Sequence, residues 1–308
     1  MSMTATKRPV RQSGVVEAVP IVGRTWWNGR VTHLVRTVWP SLTVLILVVL
    51  AWDRAVVWGE IPSYLVPRPE AVARAAWNDR TSLASAAGLT AQAALCGFAL
   101  SLVVGSLTAL AFATWSWVRR SCYPYAIFLQ TVPIVAIAPL INLYPGPGFG
   151  SVVLLSWMIS LFPIVTGGTT GLTRVPPEWL ELFRLYGAGR WTILWKLRIP
   201  NAVPHLVTAA KTSVGLAVIG AVVGEMFCAS SKSGYGLGYW IQATSRTLEA
   251  DRAFAYFLTS TGLALSIFLI AGAVGTIVLK AMGDRATLHQ LELEYDSNAR
   301  RRRPPRGV

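Results

Sequence analysis

Along this chain, apolar runs close to the length an α-helix needs to cross a bilayer alternate with short polar breaks. The first run covers residues 38–51 and reaches Trp58 only through the charged pair Asp53–Arg54. A polar, turn-rich stretch follows at 60–85, including IPSYLVPRPE. The second run, 86–115, is rich in Ala, Gly and Ser, the small residues that let helices approach closely in lipid. The third, 123–144, carries Pro133 and Pro139, which membrane helices tolerate where neighbours satisfy the freed carbonyls. After the turn PGPGFG at 145–150, a fourth run ends near 172, a fifth covers 205–227 and a sixth 254–279. The pattern predicts an all-α integral membrane protein with about six transmembrane helices.

Between the fourth and fifth runs stands a charged insert, PEWLELFRLYGAGRWTILWKLRIPNAVP at 177–204. A segment this charged cannot lie in hydrocarbon, so it belongs at the membrane surface, within reach of something soluble. Pro176 and Pro177 suit a first helical turn, where no amide donor is needed. From Glu178 onward, Leu182, Leu185 and Tyr186 fall on one side, with Glu178, Glu181 and Arg184 interleaved. Gly187 and Gly189 offer left-handed stops. A second short helix, 191–197, is expected to end before Pro200, because the residue ahead of proline avoids helical angles. The insert therefore reads as two short helices meeting at a glycine corner, parallel to the membrane plane.

Composition agrees with a membrane protein: 53% of residues are hydrophobic and 14% charged, against about a quarter charged in soluble domains. A net charge of +14 suggests nucleic-acid binding until the charges are placed. Twenty of the 28 Lys and Arg residues fall in the N-terminal arm, the Arg119–Arg120 loop, the insert and the tail from Lys280. Seven fall on the opposite side, and Lys211 lies within a run. The positive-inside rule then puts both termini and the insert in the cytoplasm and accounts for the charge without nucleic acid. The expected organisation is a cytoplasmic basic arm at 1–37, a transmembrane domain at 38–280 holding the insert at 174–204, and a basic tail at 281–308. The apolar run behind the arm has no small-residue cleavage site near it, so it reads as a retained anchor. The tail cluster Arg300–Arg303 suits solvent or lipid headgroups.

The spacing of Glu181, Gly187 and the string Leu197-Arg198-Ile199-Pro200 resembles the EAA loop of permease subunits of bacterial ATP-binding-cassette (ABC) importers. That pattern reads E-A-A, three residues, G, nine residues, I-x-L-P. Glu181, Gly187 and Pro200 match outright, while Leu182 and Phe183 stand where the pattern has alanines. IPSYLVPRPEAV, LQTVPIVAIAPL, FPIVTGGTTGL and VVGEMF followed by SGYGLGYWIQAT resemble the sulfonate, taurine and nitrate branch, over about residues 52–279. PGPGFG departs from the W-F-G-x-G more usual at that turn.

The resemblance implies a non-enzymatic permease subunit in the bacterial inner membrane. Its expected partners are a cytoplasmic ABC ATPase, an extracytoplasmic solute-binding protein, a second permease copy forming a homodimer, and membrane lipid. The ATPase-coupling residues it implies are Glu181, Leu182, Phe183, Gly187, Ala188, Arg190 and Pro200. Glu181 would fix the helix through a charge-assisted bond, Gly187 would allow the corner, and Leu182, Phe183 and Ala188 would give apolar contact. The implied solutes are an organic sulfonate, taurine, nitrate or similar anion, or a thiamine-precursor or riboflavin-like compound. No GxxxxGK[ST] string appears, so no cofactor is expected here and ATP would be bound and hydrolysed by the partner.

Lys211 and Glu225 sit in the fifth run, fourteen residues apart. On a helix they share a side but are separated by about 21 Å along the axis, too far to pair. Ionisable groups at membrane depth usually face a cavity or bundle interior, so both are candidates to line a translocation path. Glu225 could instead brace the loop SSKSGYGLGYW, and Lys211 could snorkel to headgroups. Gly220 and Gly224 form a small-xxx-small pair suited to helix packing. Gly234-Tyr-Gly-Leu-Gly238 imitates part of a dinucleotide fingerprint but has no preceding strand or following helix, so it is expected to be a turn. His33, His205 and His289 are scattered, Cys96, Cys122 and Cys228 are isolated, and neither set has metal-ligand spacing. An ion-gradient-driven secondary transporter is the alternative; it would require repeated halves with broken helices and midplane carboxylates, and no internal repeat is visible. A membrane enzyme would require clustered catalytic polar residues at one face, and none are recognisable.

Overall fold

The computed structural model describes residues 26–144, 146–230 and 234–301, with side chains between Trp39 and Gly283 apart from 41 and 129. The described elements are helical: α1 (Trp26–Trp58), α2 (Pro69–Asn78), α3 (Arg80–Thr114), α4 (Ser116–Thr131), α5 (Ile134–Leu143), α6 (Phe149–Thr173), α7 (Pro177–Leu185), α8 (Arg190–Ile193), α9 (Ile199–Cys228), α10 (Leu237–Arg246) and α11 (Ala250–Arg301). Residues 1–55 and 56–308 form separate units, and α1 supplies what is described of the first. The arm expected at 1–37 and the tail cluster Arg300–Arg303 lie largely outside the described residues.

Among the described residues, four helical stretches are long and apolar enough to cross a membrane: Arg80–Thr114, Phe149–Thr173, Arg190–Cys228 and Ala250–Gly283. They take in the expected second, fourth, fifth and sixth runs. The first expected run lies on α1, which extends past it at both ends. The third differs. Pro133 cannot donate and holds extended backbone at φ −67°, ψ 115°, so this run divides into α4 and the ten-residue α5. Pro124 and Pro139, by contrast, sit inside their helices. The polar stretch 60–85 also hides α2, an amphipathic helix that buries Val72 and Ala75.

The core is the stack of α3, α6 and α9. A Cβ on Gly105 would lie 2.7 Å from Ile164 and one on Gly168 would lie 2.8 Å from Ala109, so α3 and α6 run parallel. A Cβ on Gly171 would lie 2.7 Å from Ala202 Cα and one on Gly220 would lie 2.6 Å from Ser156 Cα, so α9 returns antiparallel to α6. Backbone-to-backbone approach of this kind needs glycine, and Gly220 and Gly224 serve the packing role their spacing suggests. Polar bonds reinforce the crossing. Ser156 Oγ donates to Ala217 O at 2.8 Å, Ser213 Oγ to Ser160 O at 2.6 Å and Ser101 Oγ to Trp157 O at 2.9 Å. These three serines, with Ser160, are buried, so each hydroxyl finds a partner without water.

The bundle consequently has two distinct ends. One collects the C-termini of α3 and α6, the start of α4, the hairpin α7–α8 and, through Gly275 packed against Val207 and Lys211, the outgoing part of α11. The other collects α2, the start of α3, α10 and the start of α11, where Leu83, Ala86, Leu237 and Tyr256 form a small core. There Arg252 Nε on α11 pairs with Asp79 at the α2–α3 junction at 2.6 Å.

Candidate functional site

The hairpin is built by its own backbone chemistry. Pro177 opens α7, as its missing donor allows. At the other end Gly187 has φ +72°, its N–H donates to Arg184 O at 2.9 Å, and the Ala188 N–H donates to Phe183 O at 3.0 Å. This pair of bonds is the Schellman closure, which requires left-handed backbone at the glycine. Gly189, at φ −69°, does not share that geometry and instead precedes α8. The closure turns Phe183 and Ala188 half inward, while Leu182, Leu185, Tyr186, Trp179 and Trp191 remain exposed. Glu181 and Arg190 are exposed as well.

The second helix of the insert does not stop before Pro200, as its sequence suggests. Leu194–Arg198 forms a π-turn that carries α8 directly into α9, with Ile199 N–H bonded to Leu194 O. Arg198 and Ile199 keep helical angles of −72°, −45° and −64°, −49°. The register shift of one residue puts Pro200 in the first turn after the π-turn, where its missing donor is tolerated.

At the opposite end, Glu225 is 4% exposed. Its Oε2 accepts from Thr90 Oγ1 on α3 and from Gly238 N at the start of α10, both at 2.9 Å. Leu237 N donates to Thr90 Oγ1, also at 2.9 Å. A carboxylate thus accepts from one first-turn amide of α10, where the helix dipole favours negative charge. The glycines around it are dictated by space: a Cβ on Gly236 would overlap the Glu225 carboxylate and one on Gly238 would overlap Val222 O. The expectation that this glycine string is a plain turn is therefore corrected in part, because α10 begins at Leu237. Residues 231–233 of its loop lie outside the described residues. Lys211 is not brought to Glu225; it is half-buried, its Nζ 3.9 Å from where a Gly275 Cβ would stand.

Between α6 and α9, toward the hairpin end, lies an open groove of about 500 Å³. It is lined by Pro163, Thr166, Gly167 and Thr170 from α6 and Pro204, His205, Thr208, Ala209 and Thr212 from α9. Neither Glu225 nor Lys211 lines it. Sequence reasoning passed over these threonines because Thr is unremarkable in an apolar run. The signal available was their recurrence every four residues, at 166 and 170 and at 208 and 212, which sets each pair on one helix face.

The description "Binding-protein-dependent transport system inner membrane component" matches residues 101–287 of the chain. The chain belongs to that family. It is the permease subunit of an ABC importer, a multi-pass membrane protein. The riboflavin transport system permease protein RibX of Chloroflexus aurantiacus is 30% identical over 256 residues, 82% of this permease and 94% of that protein. The formylaminopyrimidine transport permease protein ThiX of Halalkalibacterium halodurans is 31% identical over 217 residues, covering 70% and 84% of the two chains. The putative aliphatic sulfonates transport permease protein SsuC of Escherichia coli is 25% identical over 206 residues, covering 66% and 77%. Among solved structures, an inward-facing MetNI methionine ABC transporter shares the fold, with TM-score 0.53 at 16% identity, covering 65% of this permease and 95% of that chain.

Proposed function

We propose that this permease passes its solute along the α6–α9 groove and is driven by a separate cytoplasmic ATPase that grips the α7–α8 hairpin. The observation that carries this reading is the hairpin itself. It is closed by Gly187 and leaves Leu182, Leu185, Tyr186 and Trp191 uncovered. Exposed aromatic and aliphatic side chains on a rigid corner suit a partner's cleft. Glu181 sets register at its rim, and Pro200 begins the helix that transmits its motion.

The hairpin end faces the cytoplasm, together with both termini. ATP is bound and hydrolysed in the partner. A single α6–α9 groove is open on one side, so a second copy of the chain completes the path, and a solute-binding protein delivers to the Glu225 end. Glu225 then acts as a brace for the mouth rather than a path-lining charge. Among the solute classes, riboflavin-like or thiamine-precursor heteroaromatics are favoured over organic sulfonates, taurine or nitrate. Two relatives of about 30% identity are named for the former, and the groove lining carries hydroxyls and an imidazole with no guanidinium or ammonium for an anion. The test is uptake of labelled riboflavin, a formylaminopyrimidine and taurine by cells expressing the permease with its neighbouring ATPase and binding protein. Uptake without any ATPase would overturn the reading.

A further inference from the structure

A second cavity, of about 640 Å³, opens where the hairpin meets the end of α3 and the start of α4. Arg184, Arg190 and Arg198 line it together with Trp115, Ser116 and Trp191, and no carboxylate does. Arg198 Nη1 donates to Ala113 O at 3.1 Å, which fixes one guanidinium in the wall. Among the described residues, Arg184 and Arg190 make no ion pair or side-chain hydrogen bond. Three like charges lining one cavity with no carboxylate among them favour an anion there.

The level of this cavity in the membrane says which anion. It lies at the ends of two spans, Arg80–Thr114 and Arg190–Cys228. Trp115, Trp117, Trp191 and Trp195 are all exposed around it, 60–76% each. Exposed tryptophans at span ends mark the headgroup layer, and basic pockets at that level hold phospholipid phosphates. We propose that this cavity binds the phosphate of an anionic phospholipid headgroup, gripped by Arg184, Arg190 and Arg198 beneath the hairpin. The guanidinium fork matches a phosphate diester, and the bound lipid holds the hairpin against the α3–α4 corner.

The full-length permease is reconstituted in phosphatidylcholine nanodiscs with and without phosphatidylglycerol, then examined by native mass spectrometry and thermal unfolding. Phosphatidylglycerol adducts and a raised midpoint are expected for the unsubstituted chain. Arg184→Gln should weaken phosphatidylglycerol retention about fivefold, the effect of one basic residue near an anionic surface. Arg184→Lys should retain most of it, and Arg74→Gln at the opposite end should change nothing. Equal loss in Arg74→Gln would overturn the proposal. So would stabilisation by inorganic phosphate matching that of the lipid, which would make the occupant a free ion. Loss of ATPase-subunit binding in Arg184→Gln with lipid adducts intact would assign the arginines to the protein partner instead, and would likewise overturn it.

Discussion

The two ends of this bundle solve opposite problems with similar residues. At the Glu225 end, a carboxylate, a threonine and two glycines close on one another, and Glu225 is almost fully covered. At the hairpin end, a glycine also sets the corner, but Leu185 and Tyr186 stand about 85% exposed. The first end satisfies the Glu225 carboxylate within the chain; the second leaves its apolar groups uncovered. The difference teaches that burial, rather than residue type, separates the structural lock at Glu225 from the docking surface proposed at the hairpin.

The contrast can be broken at its foundation first. Gly220→Val puts a branched side chain where even a Cβ would lie 2.6 Å from Ser156 Cα, so α6 and α9 must part. A loss of about 3 kcal/mol or more is expected, at the upper end of overpacking costs, read as a lowered unfolding midpoint in detergent. Glu225→Ala leaves the Gly238 amide without its acceptor, while Thr90 Oγ1 keeps Ala86 O at 3.0 Å. About 2 kcal/mol is expected from one stranded buried donor, together with faster proteolysis at the α9–α10 loop. Gly187→Val forces a β-branched residue to φ +72°, at about 1–2 kcal/mol of local strain. Its unfolding midpoint should fall by no more than that strain implies, because a Cβ at this position would meet nothing within 4 Å, while solute-stimulated ATP hydrolysis falls about tenfold or more. Ser156→Ala should cost least, about 0.6 kcal/mol, the usual worth of a hydroxyl bond between membrane helices.

What the sequence made legible follows the same division. The long runs, the glycine corner at Gly187 and the packing pair Gly220–Gly224 were readable because each rests on local periodicity or on a backbone rule. The π-turn ahead of Pro200 was not, because the rule against helix before proline holds only while the register is kept. Nor was α2 legible, since ten amphipathic residues resemble a polar loop when the surface that buries Val72 is unknown. Thr90 as the partner of Glu225 was out of reach for a different reason: the two are 135 residues apart and meet only after α3 and α9 are packed. The groove threonines are intermediate, periodic but chemically silent until both helices face the same space.

The central claim is that the hairpin end meets a cytoplasmic ATPase, and sidedness tests it most directly. Leu185→Cys and Leu248→Cys place single accessible thiols at opposite ends of the bundle, in a chain with the exposed Cys96 and Cys122 replaced. A membrane-impermeant maleimide added to intact cells should label Leu248→Cys only. In inverted vesicles it should label Leu185→Cys, and bound ATPase subunit should block that labelling. Labelling of Leu185→Cys in intact cells, or labelling in vesicles that the ATPase subunit leaves unchanged, would contradict the account.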